Sequence, residues 1–66
     1  MSVKYPDVVV ELSGIDGNAF SIMGAVTKSL WRAGVSKEEC NEYFAEATAG
    51  DYDDLIRTTM KWVSAE

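Results

Sequence analysis

The chain has no histidine, one cysteine, one proline, and only six lysines and arginines against eleven aspartates and glutamates in 66 residues. Each shortage excludes something. Cys40 has no partner for an intrachain disulfide, and without an imidazole or a second thiol no ordinary zinc site can be assembled. With no histidine the commonest general base is missing, the lone thiol has no base beside it, and the serines and threonines lack a triad. The chain is therefore read as non-enzymatic, and no cofactor is implied. A net charge of −5 argues against direct nucleic-acid binding, which rests on Lys and Arg neutralising phosphates. No run approaches ~18 consecutive apolar residues, so no membrane span is expected. The first seven residues lack the apolar stretch of a signal peptide, and a lone thiol suits a reducing compartment; the expected location is the cytoplasm.

Length sets the next bound. A single domain covering residues 1–66 buries only about 60% of its unfolded surface, and its core contributes ~3–5 kcal/mol net. Self-association is a natural supplement, and little volume is expected for a pocket of ~300 Å³ or more. The partners are expected to be proteins.

What is present is well punctuated. Residues 8–12, Val-Val-Val-Glu-Leu, form a β-branched run in which Val8, Val10 and Leu12 point one way and Val9 and Glu11 the other. It predicts a strand starting after Pro6, with a turn over Gly14–Asn18. From Asn18, a good N-cap, the spacing becomes helical. Ala19, Ile22, Met23, Val26, Leu30 and Ala33 share one face, and Gly34 supplies the stop. Phe20, Gly24, Thr27 and Trp31 form a second stripe on this helix, so it needs two neighbours. Ser36-Lys37-Glu38-Glu39 reads as a capping box with Val35 stapled against Cys40. The helix it opens turns Cys40, Tyr43, Phe44 and Ala47 inward and ends at Gly50. Asp51 then caps a third helix with Tyr52, Leu55, Ile56, Thr59 and Val63 along its face. Trp62–Ala65 suits either more helix or a short strand.

Four constellations are candidate sites. The turn Gly14-Ile15-Asp16-Gly17-Asn18 before a helix is the place for a phosphate cradle, but it has no neighbouring cation and Asp16 would repel an anion; a tight turn with an N-cap is favoured. Asp51, Asp53 and Asp54 invite a divalent cation, yet they lack a calcium-hand pattern and sit where a helix dipole favours acids. Glu38, Glu42 and Glu46 recur along the second helix, and with Asp53 and Asp54 they form an acidic stripe able to imitate nucleic acid. The default for such a stripe is a solvated face. The stripe Phe20, Gly24, Thr27, Trp31 is the best candidate for partner binding, because a mid-helix glycine between aromatics lets another element approach closely. Internal packing of the stripe is the competing reading. Cys40 is read as a small core residue.

The runs Asp16–Gly24, Arg32-Ala33-Gly34-Val35, Glu46-Ala47-Thr48, Gly50–Asp53 and Trp62-Val63 resemble a group of small uncharacterised proteins of bacteriophages, prophages and bacteria. That group has no established activity, so the resemblance carries over no catalytic or binding residue. It implies a phage or prophage accessory protein acting on host machinery. Members are often basic where this chain has Trp31, which points to an exposed Trp31, and more strand-like at the tail.

The expected fold is α+β, one N-terminal strand followed by three helices, with a short C-terminal strand as an open alternative. The strand and one apolar helix face are completed either by a second copy, a homodimer being favoured, or by the C-terminal segment. The expected function is a small protein-interaction module working through Phe20 and Trp31; the alternative is an acidic nucleic-acid mimic that inhibits a host DNA- or RNA-binding enzyme.

Overall fold

The computed structural model of the chain describes residues 3–66; Met1 and Ser2, on which the signal-peptide reading partly falls, lie outside them. Strand β1 (Tyr5–Val10) is followed by a 3-10 turn (Leu12–Gly14) and helix α1 (Ala19–Arg32). Helices α2 (Lys37–Ala47) and α3 (Tyr52–Trp62) and strand β2 (Val63–Ala65) complete the chain. The fold is α+β, with an N-terminal strand, three helices and a short C-terminal strand. No helix among the described residues is long and apolar enough to cross a membrane.

The two strands pair in parallel, so β1 finds its neighbour in its own chain. That removes the unpaired strand as a reason for a second copy. β1 also starts earlier than the Val-rich run suggests. Tyr5 pairs with Val63, Val9 with Ser64 and Val10 with Ala65, leaving Pro6–Val8 as an irregularity in the ladder. Pro6 has no N–H to donate, so it fits inside this interruption rather than before the strand, and its carbonyl accepts from Ser64 Oγ at 2.7 Å. Beyond β1 the backbone still engages the chain end. Glu66 N donates to Val10 O at 2.8 Å and Leu12 N to Glu66 O at 2.7 Å, while Leu12 itself begins the 3-10 turn instead of extending the strand.

Local chemistry sets the helix ends. Asn18 Oδ1 accepts from Phe20 N at 2.8 Å to open α1. At its close Gly34 takes φ +88°, Gly34 N donates to Trp31 O, and Val35 N donates to Leu30 O at 3.1 Å, a Schellman stop. Ser36 Oγ accepts from Glu39 N at 3.2 Å, but the reciprocal half of the expected capping box is absent: the Glu39 carboxylate turns to Tyr5 and Lys4. The reciprocal box sits instead at α3, where Asp51 accepts from Asp54 N at 3.0 Å and Asp54 from Asp51 N at 3.3 Å. Gly50 belongs to that corner, since a Cβ there would run into the Asp54 side chain. Helix α2 stops at Ala47, short of Gly50, where Thr48 Oγ1 donates back to Phe44 O at 2.8 Å.

The core gathers Val8 and Val10 of β1, Ile22, Met23, Val26 and Leu30 of α1, Cys40, Tyr43 and Ala47 of α2, Leu55 and Trp62 of α3, and Val63 of β2. Ala33, expected on the inner face of α1, is exposed, because α1 ends one residue before it. Phe44 is 45% exposed rather than inward. At the centre, the fully buried Tyr43 hydroxyl and Thr59 Oγ1 are 2.7 Å apart, joining α2 to α3. Trp62 closes the structure where α3 gives way to β2. Its ring meets Tyr43 edge-on at 5.7 Å and Tyr5 at 6.1 Å, its Nε1 donates to Glu46 Oε2 at 2.6 Å, and Lys4 Nζ lies 4.1 Å from the ring centroid.

Two predictions follow from this core. Thr59→Val, which leaves the Tyr43 hydroxyl buried without a partner, lowers unfolding free energy by about 1–3 kcal/mol in urea titrations, and adding Tyr43→Phe restores part of it. A double variant that loses the sum of the two single losses would contradict the pairing. The second concerns pH. The Glu39 hydrogen bond, burial and the Glu39 charge push Tyr5 up to about 12 from 10.0, and the bonds from Tyr5 and then Lys4 hold Glu39 below its ordinary 4.5. The raised phenol stabilises the fold below its unfolded value, and that contribution is lost as pH climbs from 10.0 to about 12. The depressed carboxyl stabilises above 4.5 and is lost as pH falls through its folded value. Denaturation midpoints across pH should fall at both extremes, and Tyr5→Phe should flatten both limbs.

Candidate functional site

Helix α1 turns Ile22, Met23, Val26 and Leu30 into the core, and a flanking face about 100° round the helix carries the stripe singled out in the sequence. Phe20 is 74% exposed and Trp31 63%, Gly24 is exposed between them, and Thr27 is half-buried. Internal packing of the aromatics is therefore excluded. Beside the stripe, α2 brings up Phe44, and the two helices frame an open groove of about 660 Å³. The buried Met23 and Cys40 line it, with Lys28 and Lys37 at its Trp31 end. This trough is larger than expected of so small a domain because it lies open on the surface. A second recess of about 260 Å³ continues past Phe20 to Tyr52 and Asp51 at the start of α3.

Phe44 is the member of this surface that the sequence reading placed in the core. Cys40, Tyr43 and Ala47 already complete the inward stripe of α2, and Phe44 stands one residue, about 100°, further round than Tyr43. Tyr52 shares the inward line of Leu55 and Thr59 but, as the first residue of α3, is 47% exposed and donates through its hydroxyl to Gly17 O at 2.6 Å. Of the six exposed large hydrophobic residues among the described residues, Phe20, Trp31, Phe44 and Tyr52 line these adjoining grooves, whereas Val9 and Met60 do not. Such clustering sets this face apart from the apolar residues scattered singly over the rest of the surface.

Gly24 sharpens the point. A Cβ built there meets no atom within 4 Å, so nothing inside the molecule requires glycine. Glycine nonetheless costs about 1 kcal/mol relative to alanine in an exposed helix interior.

The acidic stripe is differently placed. Glu38, Glu42 and Asp53 are exposed, but Glu46 accepts the Trp62 indole N–H, and Lys4 and Lys61 share a recess with Glu42 and Glu46. Asp54 is held in the α3 capping box and by Arg57 at 3.5 Å. Two of the five carboxylates thus hold the fold together, and cations interrupt the row. In the turn before α1, Asp16 Oδ1 accepts from Asn18 N at 3.3 Å, placing a carboxylate where a bound anion would need the amide. Asp51 and Asp54 are occupied with each other's amides, and no cluster able to hold a metal ion occurs among the described residues.

Comparison with protein-family models, with curated proteins and with solved structures finds no match. The open space over Gly24 makes a direct prediction: Gly24→Ala raises unfolding free energy by roughly 0.5–1 kcal/mol in urea titrations. At a protein concentration low enough to keep the chain monomeric, destabilisation would show that an internal contact requires glycine there.

Proposed function

We propose that the chain is a small non-enzymatic protein-interaction module whose working surface is the α1–α2 face carrying Phe20, Gly24, Thr27, Trp31 and Phe44. One observation carries this reading: the exposed aromatics converge on an open groove beside a glycine for which the fold has no internal use. Exposed Trp and Phe around a small residue are the ingredients of an interface anchor, which gains its energy when a partner removes those rings from water. The resemblance to small phage and prophage proteins supports an accessory role, with a host or phage protein as the partner and the cytoplasm as the location. The electrostatic alternative is less well supported, since Glu46 and Asp54 are engaged within the fold and Lys4 and Lys61 flank Glu42 and Glu46.

The test is affinity capture from host lysate with the wild-type chain and with Trp31→Glu, at low and high salt. The rings contribute chiefly by burial, so the expected partner survives high salt and is lost with Trp31→Glu while circular dichroism stays unchanged. A partner lost with salt and with Glu42→Lys, yet kept by Trp31→Glu, would overturn this reading in favour of the acidic stripe.

A further inference from the structure

Resting on the α1–α2 face as the contact surface, we infer that in the isolated protein a second copy of this chain occupies it, with α1 crossing α1 of the partner subunit antiparallel about a two-fold axis. The stripe runs Phe20, Gly24, Thr27, Trp31, with steps of four, three and four residues. Steps of this kind make a straight seam for another helix.

The order of sizes identifies the helix. Large residues stand at both ends and small ones in the middle, symmetric about a point between Ala25 and Val26. A two-fold axis through that point sets Gly24 against Thr27 of the partner subunit and Phe20 against Trp31 of the partner subunit. Two helices that cross lie closest at the crossing and diverge on either side. Gly24 and Thr27 permit the close approach, and the rings fill the widening gaps about 16 Å apart along the axis.

Charge is an independent observation. An isologous interface needs sizes that match and charges that reverse across its axis. Lys28 and Lys37 line the Trp31 end of the groove, whereas Asp51 lines the recess at the Phe20 end and Asp16 lies just before α1. Of the cations, only Lys4 and Arg57 are in ion pairs, so Lys28 and Lys37 have no carboxylate of their own among the described residues. Antiparallel crossing carries each lysine end onto the aspartate end of the other copy. Helix α1 itself contains no acid to oppose them. Size fits as well: a standard interface covers about 800 Å² per partner, under a fifth of the 4357 Å² accessible surface.

Sedimentation equilibrium on the wild-type chain tests this, with Trp31→Glu, Phe20→Glu, Met60→Glu and the charge swap Lys37→Glu with Asp16→Lys. The expected result is twice the monomer mass for wild type and Met60→Glu, with dimer affinity weakened about a hundredfold or more by Trp31→Glu or Phe20→Glu. Lys37→Glu alone should weaken it several-fold and the double swap should restore it. All five positions are exposed, and only the turn bond from Asn18 N to Asp16 is lost, so circular dichroism should be unchanged. A wild-type monomer throughout, or a dimer indifferent to Trp31→Glu and Phe20→Glu, would overturn the inference. If the protein is monomeric but Trp31→Glu still abolishes capture of a foreign protein, the second copy fails while the contact surface stands.

Discussion

A parallel pairing between the two ends of the chain holds this fold together. Strand β2 is three residues long, and an isolated two-stranded sheet is at best marginal in water. It persists because Val63 is fully buried and because Trp62, one residue earlier, binds the surrounding elements at once. Glu46 takes its N–H, Tyr43 and Tyr5 flank its ring, and Lys4 covers it. The first strand, the second helix and the last turn of the third helix are thereby fixed to one side chain.

That closure determines what α1 can do. With the strand satisfied in cis, the inner face of α1 is enough to complete the core, packing on β1 and α2. Its outer face is left over, and no element among the described residues covers it. Phe20 and Trp31 are therefore exposed by topology, and Phe44 joins them because the inner face of α2 is already full.

Local signals were legible in the residues themselves. Asn18, Gly34, Ser36 and Asp51 mark helix boundaries by chemistry that acts within a few residues, and the inward stripe of α1 follows from period alone. The alignment of Phe20, Gly24, Thr27 and Trp31 along one side of α1 could be read for the same reason. What sequence did not reveal depends on partners far along the chain. The start of β1 is set by Val63, and the loss of the Ser36 box by Tyr5, which draws Glu39 away from its own helix end. Glu46 looked like one of a row of solvated acids until the indole of Trp62, sixteen residues on, claimed it. Phe44 was misplaced by a single step around the helix, finer than a periodicity argument resolves.

The central claim is that each chain closes its own sheet and leaves the outer face of α1 to another molecule. Isotope-filtered NMR on an equimolar mixture of labelled and unlabelled chains tests it most directly, since it separates contacts within a chain from contacts between chains. The account predicts that cross-peaks between Val10 and Ala65 arise only within one chain, and that Phe20 and Trp31 supply the contacts between chains. Strand cross-peaks between chains, showing a sheet completed by exchange of the C-terminal segment, would contradict it.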